Sequence, residues 1–316
     1  MEIGNHKEGV CKIACVVVTY NRKTLLERCL NAIKEQTYKP SAVYVIDNAS
    51  TDGTDTFLHA SGYVNRKMDG ILFKYYRLEK NEGGAGGFYK GMKTAHEDAD
   101  YDGFWVMDDD GEPDKDCLKE LVPYLKERDY IAPLVVAVED HDCCAFVPDT
   151  TVKEFQQKAS NGIVENWSSP FNGILYSRKL INKIGYPNKE MFIWGDEMNY
   201  HYRAIQAGMP PMTVVNALHY HPKAKDVMVT SCKGTRIVFV NQYWRGYCHY
   251  RNFIYNRRFQ NYTWKQNLRY GIGYLKIHLY YFIFKIHSAK WTWCFLKAFF
   301  AGVFGKFGGQ YSYMKK

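Results

Sequence analysis

The chain has 316 residues, 46% of them hydrophobic, and 42 Lys and Arg against 33 Asp and Glu leave a net charge of +9. That length and apolar content exclude a disordered chain and suit one large α/β domain or a domain with an appendage. Nine cysteines with no C-x-x-C pair exclude a disulfide framework and a zinc ribbon, and His141 beside Cys143 and Cys144 has spacing unsuited to chelation.

The first ten residues, M-E-I-G-N-H-K-E-G-V, lack the basic start and apolar stretch of a signal peptide, which predicts a cytoplasmic protein. Lys12 to Tyr20 is a short β-branched run without polar alternation, as in a strand covered on both faces. Apolar residues at helical spacing follow from Thr24 to Gln36, with Thr24 placed to cap. The pattern repeats: A-V-Y-V-I-D as a strand, N-A-S-T-D-G-T as a turn, I-L-F-K-Y-Y-R as a strand, and a helix from about Gly86 to Glu97. A fourth strand closes in F-W-V-M-D-D-D-G. Strands alternating with helices predict an open, largely parallel sheet.

Ligands of such sheets sit at the carboxyl ends of the strands, and the polar residues fall there. Thr19, Tyr20, Asn21 and Arg22 close the first strand, Asp47 and Asn48 the second, Asn81 follows the third, and Asp108, Asp109 and Asp110 close the fourth. In N-E-G-G-A-G-G-F the glycines, Gly83 and Gly84 among them, let a diphosphate, a sugar or another backbone approach. The string matches neither an ATPase loop nor a dinucleotide fingerprint. Three adjacent carboxylates repel one another and call for a cation or a catalytic task. On an extended strand end, Asp108 and Asp110 would share a hard divalent ion while Asp109 points elsewhere. The ion would neutralise charge on a departing phosphate. Glu112, Asp114 and Asp116, with Pro113, read as the start of a helix over D-C-L-K-E-L-V-P-Y-L.

Asp196 and Glu197, just after Trp194, open a helix that Gly208 closes. Asp196 is the candidate general base, and helix-dipole capping is the alternative role for both acids. His219 and His221 stand at strand spacing and project to one side. Either could give a nitrogen ligand to the ion; His221 is preferred, and a structural role fits each equally well.

Taken in order, V-V-V-T-Y-N-R, V-I-D-N-A-S-T-D-G-T, N-E-G-G-A-G-G-F, M-D-D-D-G and W-G-D-E resemble the inverting family 2 glycosyltransferases of the GT-A fold, over roughly residues 11 to 225. The resemblance implies a nucleotide-sugar donor and a Mn2+ or Mg2+ ion. By it, Thr19, Tyr20, Asn21, Arg22, Asp47, Asn81, Gly83, Gly84, Asp109 and Trp194 would contact the nucleotide sugar. Asp108, Asp110 and His221 would hold the ion, and Asp196 or Glu197 would act as base. Within the family, the doubled glycines and D-D-D look most like galactofuranosyltransferases, which use UDP-galactofuranose, with the dTDP-rhamnose-using rhamnosyltransferases as neighbours. The implied role is transfer to a glycan or lipid-linked acceptor in bacterial surface polysaccharide synthesis, such as O-antigen or capsule. W-G-D-E departs from the two aspartates that follow the Trp in many galactofuranosyltransferases, which leaves the base open between Asp196 and Glu197.

From Asn241 onward the composition changes, which divides the chain into a catalytic domain, 1–240, and a helical region, 241–316. Arg245, Arg251, Arg257 and Arg258 alternate with aromatics, and two aromatic, Lys-bearing stretches follow at 264–287 and 290–304. The pattern suits helices in a membrane interface on the inner face of the cell membrane, or else packing on the catalytic domain or between protomers. The most apolar stretch is broken by lysines and histidines, so a spanning helix is not expected. Nucleic-acid binding would need basic residues along the cleft, where the sequence puts acids. A non-catalytic carbohydrate- or nucleotide-binding module would not need the complete set of acids.

Overall fold

The structure, a computed structural model, describes residues 10–147, 149–223, 227–232 and 235–314. The first half runs β1 (Ile13–Thr19), α1 (Lys23–Lys34), β2 (Ala42–Asp47), α2 (Thr54–Ala60), β3 (Arg66–Met68), β4 (Ile71–Arg77), α3 (Gly83–Asp98) and β5 (Gly103–Asp108). Next come β6 (Glu112–Pro113), α4 (Cys117–Leu121), β7 (Tyr130–Ala137), β8 (Asp140–Cys144), α5 (Val152–Gln156), β9 (Ile163–Glu165) and β10 (Asn172–Ser177). The chain continues through α6 (Arg178–Ile184), α7 (Asp196–Gln206), β11 (Met212–His221), β12 (Val227–Cys232) and β13 (Thr235–Val240). It ends in α8 (Tyr243–Asn256), α9 (Trp264–Phe284), α10 (Ala289–Phe304) and α11 (Tyr311–Met314).

One sheet holds eleven strands in the order β3-β4-β2-β1-β5-β10-β7-β11-β6, with β8 on β7 and β9 on β11. Its centre, β4-β2-β1-β5, is parallel, as the alternation of strands and helices predicts. Every residue of β1 and β2 is buried because each strand feeds two cores. Ile13, Cys15 and Val17 pack with α1 and α4, while Ala14, Val16 and Val18 pack with α3, α6 and α7. This is why the strands read as continuous apolar runs.

Four local expectations are corrected. Thr24 lies inside α1; the orphan amide at the helix start, that of Lys23, instead donates to Asp52 Oδ2 at 2.9 Å. The N-A-S-T-D-G-T turn leads into a further helix, α2. Helix α3 starts at Gly83, three residues before Gly86, because its first turn is held by Asn81 and by the backbone of Phe192. Pro113 starts no helix: it pairs with His219 in the short strand β6, and the helix that follows ends at Leu121 in a tight 3-10 turn.

A third core joins Cys232, Ile237 and Phe239 to Tyr250, Phe282 and Phe295. The hairpin β12–β13 therefore packs with the C-terminal helices, and that core extends across residue 240.

Candidate functional site

Strand register brings the strand-end residues together. Thr19 pairs with Asp47, and Val18 with Asp108. Asp108 ends β5, while Asp109 and Asp110 lie in a turn closed by the Gly111 amide donating to the Asp108 carbonyl at 3.3 Å. The turn replaces the extended end that would have alternated the side chains. Asp109 consequently faces the site: it accepts from the Thr19 hydroxyl at 2.6 Å and from Arg22 Nη1 at 3.1 Å. The same Arg22 nitrogen donates to Asp110 Oδ2 at 2.7 Å. Arg22 thus supplies a positive charge to the acidic turn.

The electrostatics follow from burial. Burial and the charges of Asp110 and Asp109 push the Asp108 carboxyl up to about 7. Burial raises Asp109 to about 6 even though Arg22 and the Thr19 hydroxyl oppose the shift. Burial alone would raise Asp110 too, but His221 and Arg22 outweigh it and hold that carboxyl below the usual range. His221 Nε2 is 3.1 Å from Asp110 Oδ1, an ion-pair distance without hydrogen-bond geometry, so that oxygen is buried with no hydrogen bond. His219 makes no such contact. Fully buried, it is held near Gly111 and Gly173, and both ring nitrogens lack a hydrogen-bond partner. A Cβ on Gly111 would lie 2.3 Å from its Nε2, so only glycine fits there.

Two carboxylates and an imidazole, among them a buried Asp110 oxygen that has no hydrogen bond and faces only the His221 ring, are donors of the kind a hard divalent ion takes. Asp108, Asp110 and His221 therefore fit the ion in type. Among the described residues no three His, Cys, Asp or Glu side chains are grouped to hold a metal, and Arg22 grips Asp110 instead.

Around this turn the loops are tied to one another. Asn21, at a positive φ of 52°, accepts from the Thr51 amide at 2.6 Å, and its own amide donates to Ser50 Oγ at 2.9 Å. Asp47 is wholly buried, accepting from the Ser50 amide at 2.8 Å and from the Tyr75 hydroxyl at 2.9 Å. Asn48 Nδ2 donates to the Gly83 carbonyl at 2.7 Å, and its Oδ1 accepts from the Glu82 amide at 3.0 Å. Asn81 Oδ1 accepts from the Gly83 amide at 2.7 Å. Tyr20 stays exposed at the rim. Gly83 has a φ of 75°, and a Cβ there would meet the Phe192 carbonyl oxygen at 2.0 Å; at Gly84 a Cβ would meet nothing within 4 Å. Of these two glycines, Gly83 serves backbone packing and Gly84 faces open space.

The Gly-rich start of α3 abuts the W-G-D-E loop through the Ala85 amide, which donates to the Phe192 carbonyl at 3.1 Å. Trp194 and Gly195 both have positive φ, 58° and 93°, and deliver Asp196 to the first turn of α7. Burial, then the adjacent Glu197, pushes the Asp196 carboxyl well above the usual range, and Asp108 adds to the effect. Glu197 turns back, both its oxygens accepting from the Gly195 amide at 2.9 and 2.8 Å. The two acids therefore differ: Glu197 caps the helix and Asp196 is left buried in the field of the acidic turn.

Sequence reasoning missed what holds this loop. From α8, Asn252 Nδ2 donates to the carbonyls of Met191, Ile193 and Trp194 at 3.0, 3.0 and 2.6 Å. Arg251 Nη2 donates to Met191 at 2.6 Å, and Asn256 Nδ2 to Gly195 at 2.6 Å. Arg251 is wholly buried and ties α8 to this loop, the packing on the catalytic domain that the sequence leaves open beside a membrane interface, whereas Arg258 stays exposed and donates to carbonyls at the end of α10. The available signal was two asparagines four residues apart on one face of an aromatic helix.

Residues 14–185, more than half of the chain, match the family described as glycosyl transferase family 2. The galactofuranosyltransferase GlfT1 of Mycolicibacterium smegmatis is 29% identical over 235 residues, covering 70% of this chain and 73% of the relative. GlfT1 of Mycobacterium tuberculosis is 30% identical over 224 residues, covering 68% of this chain and 71% of the relative. Among solved structures, S. aureus TarS 1-349 in complex with UDP aligns with a TM-score of 0.54 at 17% identity, covering 88% of this chain and 73% of that one. GalNAc-T7 with UDP, GalNAc and Mn2+ aligns with a TM-score of 0.53 at 16% identity, covering 79% and 48%. Identities this low speak to the fold alone. With an acidic turn at the carboxyl end of a parallel sheet, GT-A neighbours and a family match over most of the sheet, the chain belongs to glycosyl transferase family 2 and is a glycosyltransferase of the GT-A fold.

Proposed function

We propose that the enzyme transfers galactofuranose from UDP-galactofuranose to a hydroxyl of a glycan or lipid-linked acceptor, inverting the anomeric configuration. The observation that carries the donor is the likeness to galactofuranosyltransferases over about two thirds of the chain. Asp196 is the base in this reading. A carboxyl whose proton affinity is raised by burial is matched to take the proton of a sugar hydroxyl. The hydroxyl oxygen then bonds to the anomeric carbon as the bond from that carbon to the diphosphate breaks, and its electron pair leaves on UDP. Asp108, Asp110 and His221 would hold Mn2+ or Mg2+, which when bound supplies positive charge to the departing diphosphate. Arg22 contributes a second cation at the same turn. In this reading the donor meets Tyr20, which is exposed, and Gly84, where a Cβ would meet nothing within 4 Å.

The test is donor consumption across UDP-galactofuranose, UDP-galactopyranose, UDP-glucose and dTDP-rhamnose, each with Mn2+, Mg2+ or EDTA. UDP release specific to UDP-galactofuranose and abolished by EDTA is expected. Preference for dTDP-rhamnose overturns the donor assignment, and full activity in EDTA overturns the metal role.

A further inference from the structure

We infer that the C-terminal helices form a docking surface for an anionic lipid bilayer, with the chain lying on the membrane. The first observation is charge. Residues 227–316 hold fifteen Lys and Arg and no Asp or Glu, while the other 226 residues hold 27 Lys and Arg and all 33 acids. The catalytic part is net acidic and the whole positive excess belongs to the end of the chain.

The second observation is uncovered apolar surface on the same elements. Helix α9 turns Tyr274, His278 and Phe282 into the third core and leaves Trp264, 70% exposed, with Leu268 and Ile272 toward solvent. Helix α10 buries Trp291, Phe295 and Phe299 and leaves Trp293, 60% exposed, and Phe304, 68% exposed. Each exposed Trp carries a lysine over its ring: Lys265 at 5.8 Å on Trp264 and Lys297 at 5.6 Å on Trp293. Indole at headgroup depth with an ammonium reaching phosphate is the combination a bilayer interface selects. Among the described residues no helix is long and apolar enough to cross a membrane, so the helices lie on it.

Charge also separates this occupant from the others. A second copy meeting this surface with its own would bring the same acid-free, basic face and be repelled by it, and nucleic acid has no use for exposed Leu268 and Ile272 beside the indoles. The surface is independent of the donor sugar, and its test does not involve transfer.

The test uses the full chain, sedimented with vesicles of phosphatidylcholine alone or mixed with phosphatidylglycerol. Partition onto the mixed vesicles should exceed that onto neutral ones by on the order of tenfold or more and fall as salt rises. The double variant Trp264→Ser/Trp293→Ser, whose exposed positions leave the fold intact by circular dichroism, should lose about tenfold in partition. Equal partition onto neutral and anionic vesicles, or an unchanged double variant, overturns the inference. So does a double variant that changes only the mass measured by light scattering, which would make the face a contact between copies of the chain.

Discussion

Asn252 Nδ2 lies 2.6 Å from the carbonyl oxygen of Trp194, the closest of three carbonyls on which this one amide converges. The contact matters because Trp194 and Gly195 hold positive φ, a conformation that a bulky residue keeps only when its surroundings enforce it. Asn252→Asp keeps the shape and replaces the donor with an oxygen facing three carbonyls. Transfer should fall by about 10²-fold, as expected when a catalytic group is displaced by about 1 Å. Steady-state kinetics checks this: kcat should carry most of the loss, with KM for the donor nearly unchanged.

The unlike surroundings of Asp196 and Glu197 predict unlike variants. Asp196→Asn should cut kcat on the order of 10³-fold while donor affinity, read by calorimetry, stays within a few-fold. Glu197→Gln keeps an oxygen for the Gly195 amide and should cost far less. Loss of donor binding in Asp196→Asn would remove Asp196 from the role of base.

Much of this site is legible in the sequence because its residues interrupt apolar runs. Thr19, Asp47 and Asp108 each end a buried strand, and the parallel register then sets them side by side. The pairing of Asp109 with Thr19 and Arg22 is not legible, since it depends on the chain turning at Asp108 instead of staying extended. The clamp on the W-G-D-E loop is still less so. Asn252 binds backbone carbonyls 58 to 61 positions away, and a carbonyl leaves no mark on the side-chain pattern of the loop it belongs to. His219 shows the same limit: its burial follows from glycines at 111 and 173, far from it in sequence.

Asp108→Asn should raise the melting temperature while abolishing transfer. With its carboxyl pushed to about 7, Asp108 at pH 8 is ionised against burial and against Asp109 and Asp110. The amide removes that repulsion, and an increase of a few degrees is expected in a thermal melt at pH 8. A lower melting temperature would mean that Asp108 stabilises the fold.

Adjacent glycines in α3 should respond differently. Gly83→Ala places a Cβ 2.0 Å from the Phe192 oxygen at a residue with positive φ, and should cost roughly 2–4 kcal/mol in denaturant unfolding. Gly84→Ala meets open space and should leave stability unchanged. If Gly84 faces the donor, that same variant raises donor KM with little change in kcat.

His278 gives a pH dependence with a definite sign. Burial against Tyr274 and Phe295 lowers its pKa from 6.5 to about 4, and its Nδ1 lies 2.9 Å from the Tyr274 carbonyl. The folded protein keeps this ring neutral down to about pH 4, whereas the unfolded chain takes up the proton below about 6.5. Stability from neutral His278 is therefore complete above pH 6.5 and is lost as pH falls toward 4, by about 1.4 kcal/mol per pH unit. His278→Gln, which cannot titrate, should be less stable than the wild type at pH 8 because the ring packing is lost. As the pH drops from 6.5 to 4.5 that gap should narrow, since only the wild type loses this contribution. Unfolding free energies of the two proteins across that range measure it, and a gap that stays constant would show that His278 is protonated in the folded state.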